Sequence, residues 1–211
     1  MKPEPTVFVV DDDADLRRSL KWMLRKASLN VNTFVSAEDF LENYDPDVPG
    51  CVLLDLRMPG MNGLQMQARM IEQDWIAPVI IVSGHADVPT AVAAMQAGAV
   101  ALLEKPFSRK DLLDHIHEAL EKDTEARRHR STRAELKARF ATLTAREREV
   151  MALIIDGMTT KQIGRHLCAS PRTIEIHRSR VMKKMRVEST ATLASLTVRY
   201  GLCVSNVDLG D

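Results

Sequence analysis

The chain of 211 residues is long enough for one large domain or two small ones, and its 45% hydrophobic and 4% aromatic residues are ordinary for a globular protein. Its net charge of zero conceals an asymmetry, because residues 1–120 contain 11 Lys and Arg against 18 Asp and Glu, whereas residues 121–211 contain 18 against 11. The first part therefore carries a net charge of −7 and the second +7, so the second favours an anionic partner such as nucleic acid.

Cysteine usage and hydropathy exclude several classes of protein. Cys51, Cys168 and Cys203 are odd in number and widely spaced, unlike the paired cysteines of zinc or redox sites. No apolar run reaches the roughly 18 residues of a membrane span, and the N-terminus does not look like an export signal. These features predict a protein of the reducing cytoplasm.

Strands and helices are predicted to alternate through the first 120 residues. Apolar and β-branched runs between turn signals predict strands at residues 6–10, 31–34, 51–54, 79–82 and 100–103. Apolar residues at spacings of three and four, often after a capping residue, predict helices at residues 15–27, from Ser36, at 64–74, at 88–97 and after Ser108. This alternation predicts a parallel five-stranded sheet with helices on both faces.

Polar side chains follow these strands at the carboxyl edge of the predicted sheet, where open α/β sheets bind their ligands. They are Asp11 and Asp12 after the first strand, Asp55 after the third, Ser83 at the end of the fourth and Lys105 after the fifth. Alone, Asp55 could simply cap a turn. Together, three carboxylates repel one another unless a cation is bound, and oxygen ligands favour Mg²⁺. With Ser83 and Lys105 as partners of phosphoryl oxygens, Asp55 is predicted to be the nucleophile of a phosphoryl transfer.

Four motifs in this part of the chain resemble the receiver domain of two-component response regulators. They are VVDDD at 9–13, LLDLRMPGMNG at 53–63, VSGHAD at 82–87 and LLEKPF at 102–107. The resemblance implies a flavodoxin-like (βα)5 fold with Asp55 as the phosphoacceptor. It also implies that Mg²⁺ is held by Asp12, Asp55 and the backbone carbonyl of Arg57, with Asp11 assisting. Ser83 and Lys105 would sense the phosphoryl group, and the Lys105–Pro106 peptide bond is compatible with a cis conformation.

One position departs from the receiver pattern. Many receivers have an aromatic residue or His three positions before the Lys, where its rotation reports phosphorylation, whereas this chain has Leu102. An aliphatic side chain cannot act as the same rotor. Val92, Met95 and Leu102 could instead form a dimer surface, and the alternative is that they belong to the core.

The connecting segment is predicted to be helical. From Glu121 to Arg133 there is no large hydrophobic residue and no Pro or Gly, and acidic residues precede basic ones in the order that favours helix. We therefore predict one long, solvated linker helix that reaches about Ala138, with a flexible tether as the alternative. The predicted boundaries are a receiver at 1–120, a linker at 121–139 and a DNA-binding domain at 140–211.

The basic second part has the pattern of a helix-turn-helix. Thr144 and Glu147 form a capping box before an apolar helix, and a short helix at 160–167 is followed by a three-residue turn and a helix that begins at Pro171. On this last helix, Ile174, Val181 and Met185 share one side. Arg172, Ile176, Ser179 and Lys183 share the other, which suits insertion into the major groove, although an ordinary amphipathic surface helix has a similar pattern.

Residues 143–185 resemble the LuxR-type DNA-binding domain, so the whole chain resembles a FixJ/NarL-type response regulator with a four-helix DNA-binding domain. By this resemblance, Glu175, Ile176 and Ser179 lie where base edges are read. The residues expected near phosphates are Thr160, Lys161, Arg172, Thr173, His177, Arg178 and Lys183. His177 could instead pack against the domain core. A last helix at 191–200 would form the dimer contact on an approximately palindromic site, and Cys203 and the acidic tail after it are expected to be frayed.

The resulting hypothesis is a transcription regulator without enzymatic activity of its own. A sensor histidine kinase would phosphorylate Asp55 in a Mg²⁺-dependent reaction, which would control dimerisation and binding to double-stranded promoter DNA, with RNA polymerase as a further partner. An aspartyl-phosphate phosphatase of the haloacid dehalogenase kind is disfavoured, because it needs a second Asp where this chain has Arg57. A constitutive DNA-binding protein with a silent receiver is disfavoured because every acceptor and metal position is present.

Overall fold

A sheet of five parallel strands is the framework of the first of two structural units. The computed structural model describes residues 4–84 and 88–202, and its contacts divide the chain into Met1–Arg128 and His129–Asp211. The strands are arranged in the order β2-β1-β3-β4-β5. Their bounds are β1 Thr6–Val10, β2 Asn30–Phe34, β3 Gly50–Asp55, β4 Val79–Ser83 and β5 Ala101–Glu104. This is the flavodoxin-like fold class that the sequence predicted.

Helices cover both faces of the sheet. Their bounds are α1 Ala14–Lys26, α2 Ala37–Asn43, α3 Gly63–Glu72, α4 Val88–Gln96 and α5 Arg109–Ala141. Alternate residues of each strand point to opposite faces. Phe8, Val52 and Ile81 therefore pack with residues of α2, α3 and α4 in one core, whereas Val9, Leu53 and Ile80 pack with residues of α1 and α5 in the other. Because both faces are buried along β1, β3 and β4, these strands read as nearly continuous apolar runs, whereas the edge strand β2 alternates between exposed and buried residues.

The strand register brings the predicted site residues to one edge. Val10 of β1 lies beside Leu54 of β3, so the residues that follow, Asp11 and Asp55, come from neighbouring strands. On the other side of β3, Asp55 lies beside Val82 of β4. Ser83 of β4 in turn lies beside Glu104 of β5, one residue before Lys105.

The predicted linker is part of one helix, because α5 continues without interruption from Arg109 to Ala141 and has residues in both units. Pairs of opposite charge four residues apart accompany it, as between Glu118 and Lys122 at 2.7 Å and between Glu135 and Arg139 at 3.1 Å. The prediction that the linker helix is solvated as far as about Ala138 was wrong at Asp123 and at Leu136, whose exposed fractions are 1% and 2%.

Asp123 is buried because it joins α5 to the amino end of β3. Its carboxylate accepts a hydrogen bond from the backbone N–H of Gly50 at 2.9 Å, and its two oxygens share the single Nε–H of Arg127, at 2.9 and 2.8 Å. The guanidinium of Arg127 also donates to the backbone carbonyls of Pro46 and Val48, each at 2.9 Å. We call Asp123 and Arg127, with these backbone partners, the α5 clamp. A buried carboxylate is tolerated here because it is paired and hydrogen-bonded.

The second unit is a small helical domain around one core. Its helices are the end of α5, α6 Ala145–Ile155, α7 Thr160–His166, α8 Pro171–Met185 and α9 Thr190–Arg199. Leu136, Met151, Ile163, Ile174 and Val181 are among the side chains buried between them. The Thr144–Glu147 capping box is present, so local sequence signals define the start of α6 as predicted.

The short turn between α7 and α8 depends on a glycine. A Cβ atom added to Gly164 would lie 2.8 Å from the backbone oxygen of Ala169, too close for any side chain. At the end of the turn, the hydroxyl of Ser170 caps α8 by accepting the N–H of Thr173, and Pro171 occupies the first turn. This is the helix-turn-helix that the sequence predicted.

Three further predictions have different outcomes. The domain boundaries at residues 120 and 139 stay predictions. Cys203 and the acidic tail, expected to be frayed, lie outside the described residues. Within residues 4–84 and 88–202, no helix is long and apolar enough to cross a membrane.

The α5 clamp gives a first testable prediction. Replacing Asp123 with Ala leaves Arg127, whose side chain is 22% exposed, without its counter-charge. Because the pair is only partly buried, the expected loss of unfolding free energy is about 3 kcal/mol, the lower end of the range for buried pairs. Urea unfolding followed by Trp75 fluorescence, in a Trp22→Phe background, should show this loss, since Trp75 packs 4.8 Å from Tyr44. Asp114→Ala, at an exposed position of the same helix, is the control. Equal stability of the two variants would show that the clamp contributes nothing.

Candidate functional site

The ammonium group of Lys105 lies between two buried carboxylates at the carboxyl edge of the sheet. Its Nζ is 2.8 Å from Oδ2 of Asp11 and 2.7 Å from Oδ1 of Asp55. The side chains of Asp11 and Asp55 are only 5% and 8% exposed. The Lys105–Pro106 peptide bond is cis, as the sequence led us to expect. The structure therefore joins three predicted site residues, at the carboxyl ends of β1, β3 and β5, in one ionic cluster.

The second oxygen of Asp55 is held by the loop that follows β3. Oδ2 accepts a hydrogen bond from the backbone N–H of Arg57 at 2.7 Å. The loop then returns so closely that a Cβ added to Gly63 would lie 2.4 Å from the backbone oxygen of Asp55, which explains why glycine begins α3. Each carboxylate oxygen of Asp55 therefore has one donor, and the side chain is fixed before any ligand binds.

Burial and ion pairing oppose each other in this cluster. Burial raises the pKa of Asp55 above its ordinary value, and the hydrogen bond and charge of Lys105 only partly offset the increase. Burial alone would lower the pKa of Lys105, but hydrogen bonds to Asp11 and Asp55 outweigh it and raise that pKa. Lys105 is therefore a permanent cation, and the ionised form of Asp55 depends on it.

The other two acids after β1 are exposed and have different roles in the structure. Asp12 lines a surface cleft of about 620 Å³ beside the cluster, together with Arg57, Met58, Pro59 and Thr90. Asp13 is the N-cap of α1, and the backbone N–H groups of Leu16 and Asp15 lower its pKa. The cleft therefore adjoins Asp11 and Asp55 through their chain neighbours Asp12 and Leu56.

Two residues near the site were not predicted from the sequence. Arg17 of α1 donates from its guanidinium to the backbone carbonyl of Asp11. Glu38, at the start of α2, accepts the N–H of Met61 at 2.8 Å and so holds the loop after Asp55. No sequence signal indicated the second contact, because 23 residues separate its partners.

The residues fit a hard divalent cation by their chemistry, although they do not surround a preformed position. Asp11, Asp12 and Asp55 offer oxygen ligands at adjoining strand ends, which suits Mg²⁺. Within the described part of the chain, however, no three His, Cys, Asp or Glu side chains are grouped as around an ion. The exposure of Asp12 and the position of Lys105 account for this. The metal ligands therefore stay a prediction.

The structure separates the residues expected at the receiver's signalling face. Ser83 is 1% exposed at the end of β4, and its backbone carbonyl accepts the N–H of Lys105 at 2.9 Å. Leu102 is partly buried against the core that contains α2, α3 and α4. Val92 and Met95 of α4 are each 47% exposed, and Val88 is 76% exposed. Of the possible dimer surface, Val92 and Met95 are thus available, whereas Leu102 contributes to the core.

The second unit presents most of its predicted DNA contacts on α7 and α8. Exposed positions are Lys161, Arg172, Thr173, Glu175, Ile176, Ser179 and Lys183. Thr160 and Arg178 are half-buried and both approach Glu175, Thr160 donating a hydrogen bond at 3.2 Å and Arg178 lying 3.9 Å away. His177 is half-buried, and its buried Nδ1 has no hydrogen-bond partner among residues 4–84 and 88–202. This position favours the packing role for His177, and the individual DNA contacts stay predictions.

Comparisons with protein families divide the chain in the same way. Residues 7–117 match the response regulator receiver domain, and residues 141–197 match the bacterial regulatory proteins of the luxR family.

Individual proteins match over almost the entire chain. Nodulation protein W of Bradyrhizobium diazoefficiens is 40% identical over 96% of this chain and 89% of its own length. Transcriptional regulatory protein FixJ of the same organism is 41% identical over 93% of this chain and 96% of its own length. Among solved structures, the response regulator StyR is 41% identical with a TM-score of 0.84 and covers 93% of this chain and 100% of its own. Full-length FixJ from B. japonicum is 39% identical with a TM-score of 0.57, over 95% and 98% of the two chains.

The ionic cluster gives a second prediction. Replacing Lys105 with Met should raise the pKa of Asp55 further above its ordinary value, because the carboxylate stays buried beside Asp11 and loses its counter-charge. Asp55 would then remain protonated up to a higher pH than in the wild type. Carboxyl ¹³C NMR titration measures this shift, with Asp55→Asn used to assign the resonance. Lys110→Met, at an exposed position, should leave the titration unchanged, and an equal effect of both variants would contradict the argument.

Proposed function

Because the chain belongs to the two-component response regulators that combine a receiver domain with a LuxR-type DNA-binding domain, we propose that Asp55 accepts a phosphoryl group from the phosphohistidine of a sensor histidine kinase. The observation that carries this proposal is the contact of Lys105 with both Asp11 and Asp55, at 2.8 and 2.7 Å. A fixed cation beside a buried carboxylate suits a group that becomes more negative when it is phosphorylated.

In the proposed reaction, an oxygen of Asp55 attacks phosphorus, a P–O bond forms, and the P–N bond to the histidine of the kinase breaks. Asp55 must be ionised to attack, and Lys105 opposes the protonation that burial favours. The N–H of Arg57 orients the carboxylate, and the cleft beside Asp12 admits the phosphodonor. Mg²⁺, held by Asp11, Asp12, Asp55 and the Arg57 carbonyl, would neutralise charge on the phosphoryl oxygens.

After transfer, we propose that Lys105 and Ser83 contact the phosphoryl group. Lys105 already faces Asp55, and Ser83 ends the strand next to β3. Leu102 packs in the core beneath α4, so a movement of Ser83 would reach the exposed face of α4 through side-chain packing and without an aromatic rotor. The apolar residues Val88, Val92 and Met95 of that face would then form the dimer contact.

The output of the switch is binding of a dimer to an approximately palindromic promoter site, where RNA polymerase is a further partner. The basic face of α8 supports this role, since phosphate contacts position such a helix and base contacts give it specificity. We propose no enzymatic turnover beyond the phosphorylation of the protein itself, and the cytoplasmic location stays a prediction.

Two other functions receive less support. A phosphatase of the haloacid dehalogenase kind would need an acidic side chain at position 57, where this chain has Arg57. A silent receiver would not need Asp55 to be held by two donors beside an open cleft.

Phosphorylation is tested directly at Asp55. With acetyl phosphate and Mg²⁺, the wild type should gain one phosphoryl group by intact-mass spectrometry and should bind DNA more tightly. Asp55→Asn should show neither change, because an amide is not a competent nucleophile. Asp45→Asn, at an exposed position after α2, should behave as the wild type. If phosphorylation leaves both the affinity for DNA and the oligomeric mass in solution unaltered, control of DNA binding by phosphorylation is refuted.

Dimerisation is tested on α4. Met95→Asp should weaken the self-association of the phosphorylated protein roughly tenfold or more, because burying an unpaired carboxylate in an apolar interface is costly. Ile71→Asp, which alters an apolar residue that is 59% exposed on α3, is the matched control. Sedimentation velocity provides the measurement, and equal association of the two variants would argue against α4 as the dimer surface.

A further inference from the structure

Glu175 carries a negative charge on α8, the helix that is expected to enter the major groove of DNA. It is the only acidic residue of α8, whose other charged residues are Arg172, Arg178, Arg180, Lys183 and Lys184. It is also exposed, beside Ile176, which is 48% exposed. A carboxylate close to phosphates lowers affinity for every DNA sequence. Its presence therefore requires a compensating interaction.

The carboxylate is held in place by two neighbours. Thr160, the first residue of α7, donates its hydroxyl hydrogen bond to Oε2 of Glu175 at 3.2 Å, and Nε of Arg178 lies 3.9 Å from the same oxygen. The Thr160 contact crosses the turn and joins the two helices of the helix-turn-helix. An exposed side chain that is already ordered loses less conformational freedom when it binds a ligand.

The chemistry of the group restricts what it can bind. An ionised carboxylate only accepts hydrogen bonds. In the major groove, guanine presents two acceptors and thymine presents one, so both repel a carboxylate. Adenine has an amine beside an acceptor nitrogen, whereas cytosine presents only its amine. Of the four bases, cytosine alone offers a donor without an adjacent acceptor.

We propose that Glu175, positioned by Thr160, is a specificity-determining residue that accepts a hydrogen bond from the amine of a cytosine in each half-site. Ile176, exposed beside it, contacts the methyl group of a nearby thymine. The inference rests on the proposed DNA-binding function and adds a base preference to it. It also changes the role of Thr160, which was expected at a phosphate and here serves as a positioning residue.

The test is selection of binding sites from randomised duplex DNA by the full-length protein in the presence of acetyl phosphate and Mg²⁺. The wild type should enrich a C·G pair at one position of each half-site. Glu175→Gln should shift that position towards A·T, because an amide can pair with both the amine and the acceptor nitrogen of adenine. The variant should bind the site that has C·G at this position about tenfold more weakly than the same site with A·T there.

Two further variants separate base recognition from charge and folding. Glu188→Gln makes the same charge change at an exposed position beyond α8 and should keep the cytosine preference. Thr160→Val should weaken that preference, whereas Thr160→Ser, which keeps the hydroxyl, should retain it. If Thr160 contacts phosphate instead, Thr160→Val would weaken binding to all sequences equally, and the positioning role would be refuted.

The outcomes distinguish this inference from the function on which it rests. A wild-type selection that enriches no sequence contradicts specific DNA binding itself. Identical base preferences in the wild type and Glu175→Gln, with uniformly tighter binding by the variant, would show that Glu175 acts only through its charge and would overturn the inference alone.

Discussion

The attraction between Lys105 and the two carboxylates of Asp11 and Asp55 is the interaction on which the receiver depends. Without a cation, these side chains would be buried like charges at neighbouring strand ends. The strand order makes them neighbours, since β1 and β3 pair directly, and it places β5 close enough for Lys105 to reach across the end of β4. The sheet thus assembles a nucleophile and its cation from residues up to 94 positions apart.

A buried carboxylate is also paired with a cation at the opposite end of β3, but there the pair has a structural role. At Gly50, the buried carboxylate of Asp123 is paired with Arg127 and hydrogen-bonded to backbone. Here the carboxylate and every nitrogen of the guanidinium have hydrogen-bond partners, so the pair fixes α5 to the start of β3. At Asp55 a cleft remains open beside the charged groups, which gives a place for chemistry. The two ends of β3 therefore differ in one respect. The Asp123–Arg127 pair has all its partners within the protein, whereas the cluster around Asp55 lies beside an open cleft.

Local sequence patterns were sufficient for much of this architecture. Apolar runs that end in Asp11, Asp55 and Ser83 indicated the sheet and its edge, and capping residues such as Thr144 and Ser170 indicated the helices of the second unit. What could not be predicted involves partners distant in sequence or groups of the backbone. The burial of Asp123 depends on the N–H of Gly50, 73 residues away, and no periodicity of α5 reveals it. The contacts of Glu38 with Met61 and of Thr160 with Glu175 arise from the same kind of tertiary approach.

The position of Cys51 in β3 has a chemical consequence. Its thiol is fully buried between the two ends of the strand, and burial, with a smaller effect of Asp123, raises its pKa to about 12. At neutral pH it is therefore an uncharged thiol, which alkylating reagents do not attack while the core is closed. Cys168, in contrast, is exposed at the turn between α7 and α8. The rate at which Cys51 becomes alkylated consequently measures how often the strand that carries Asp55 is released from its neighbours.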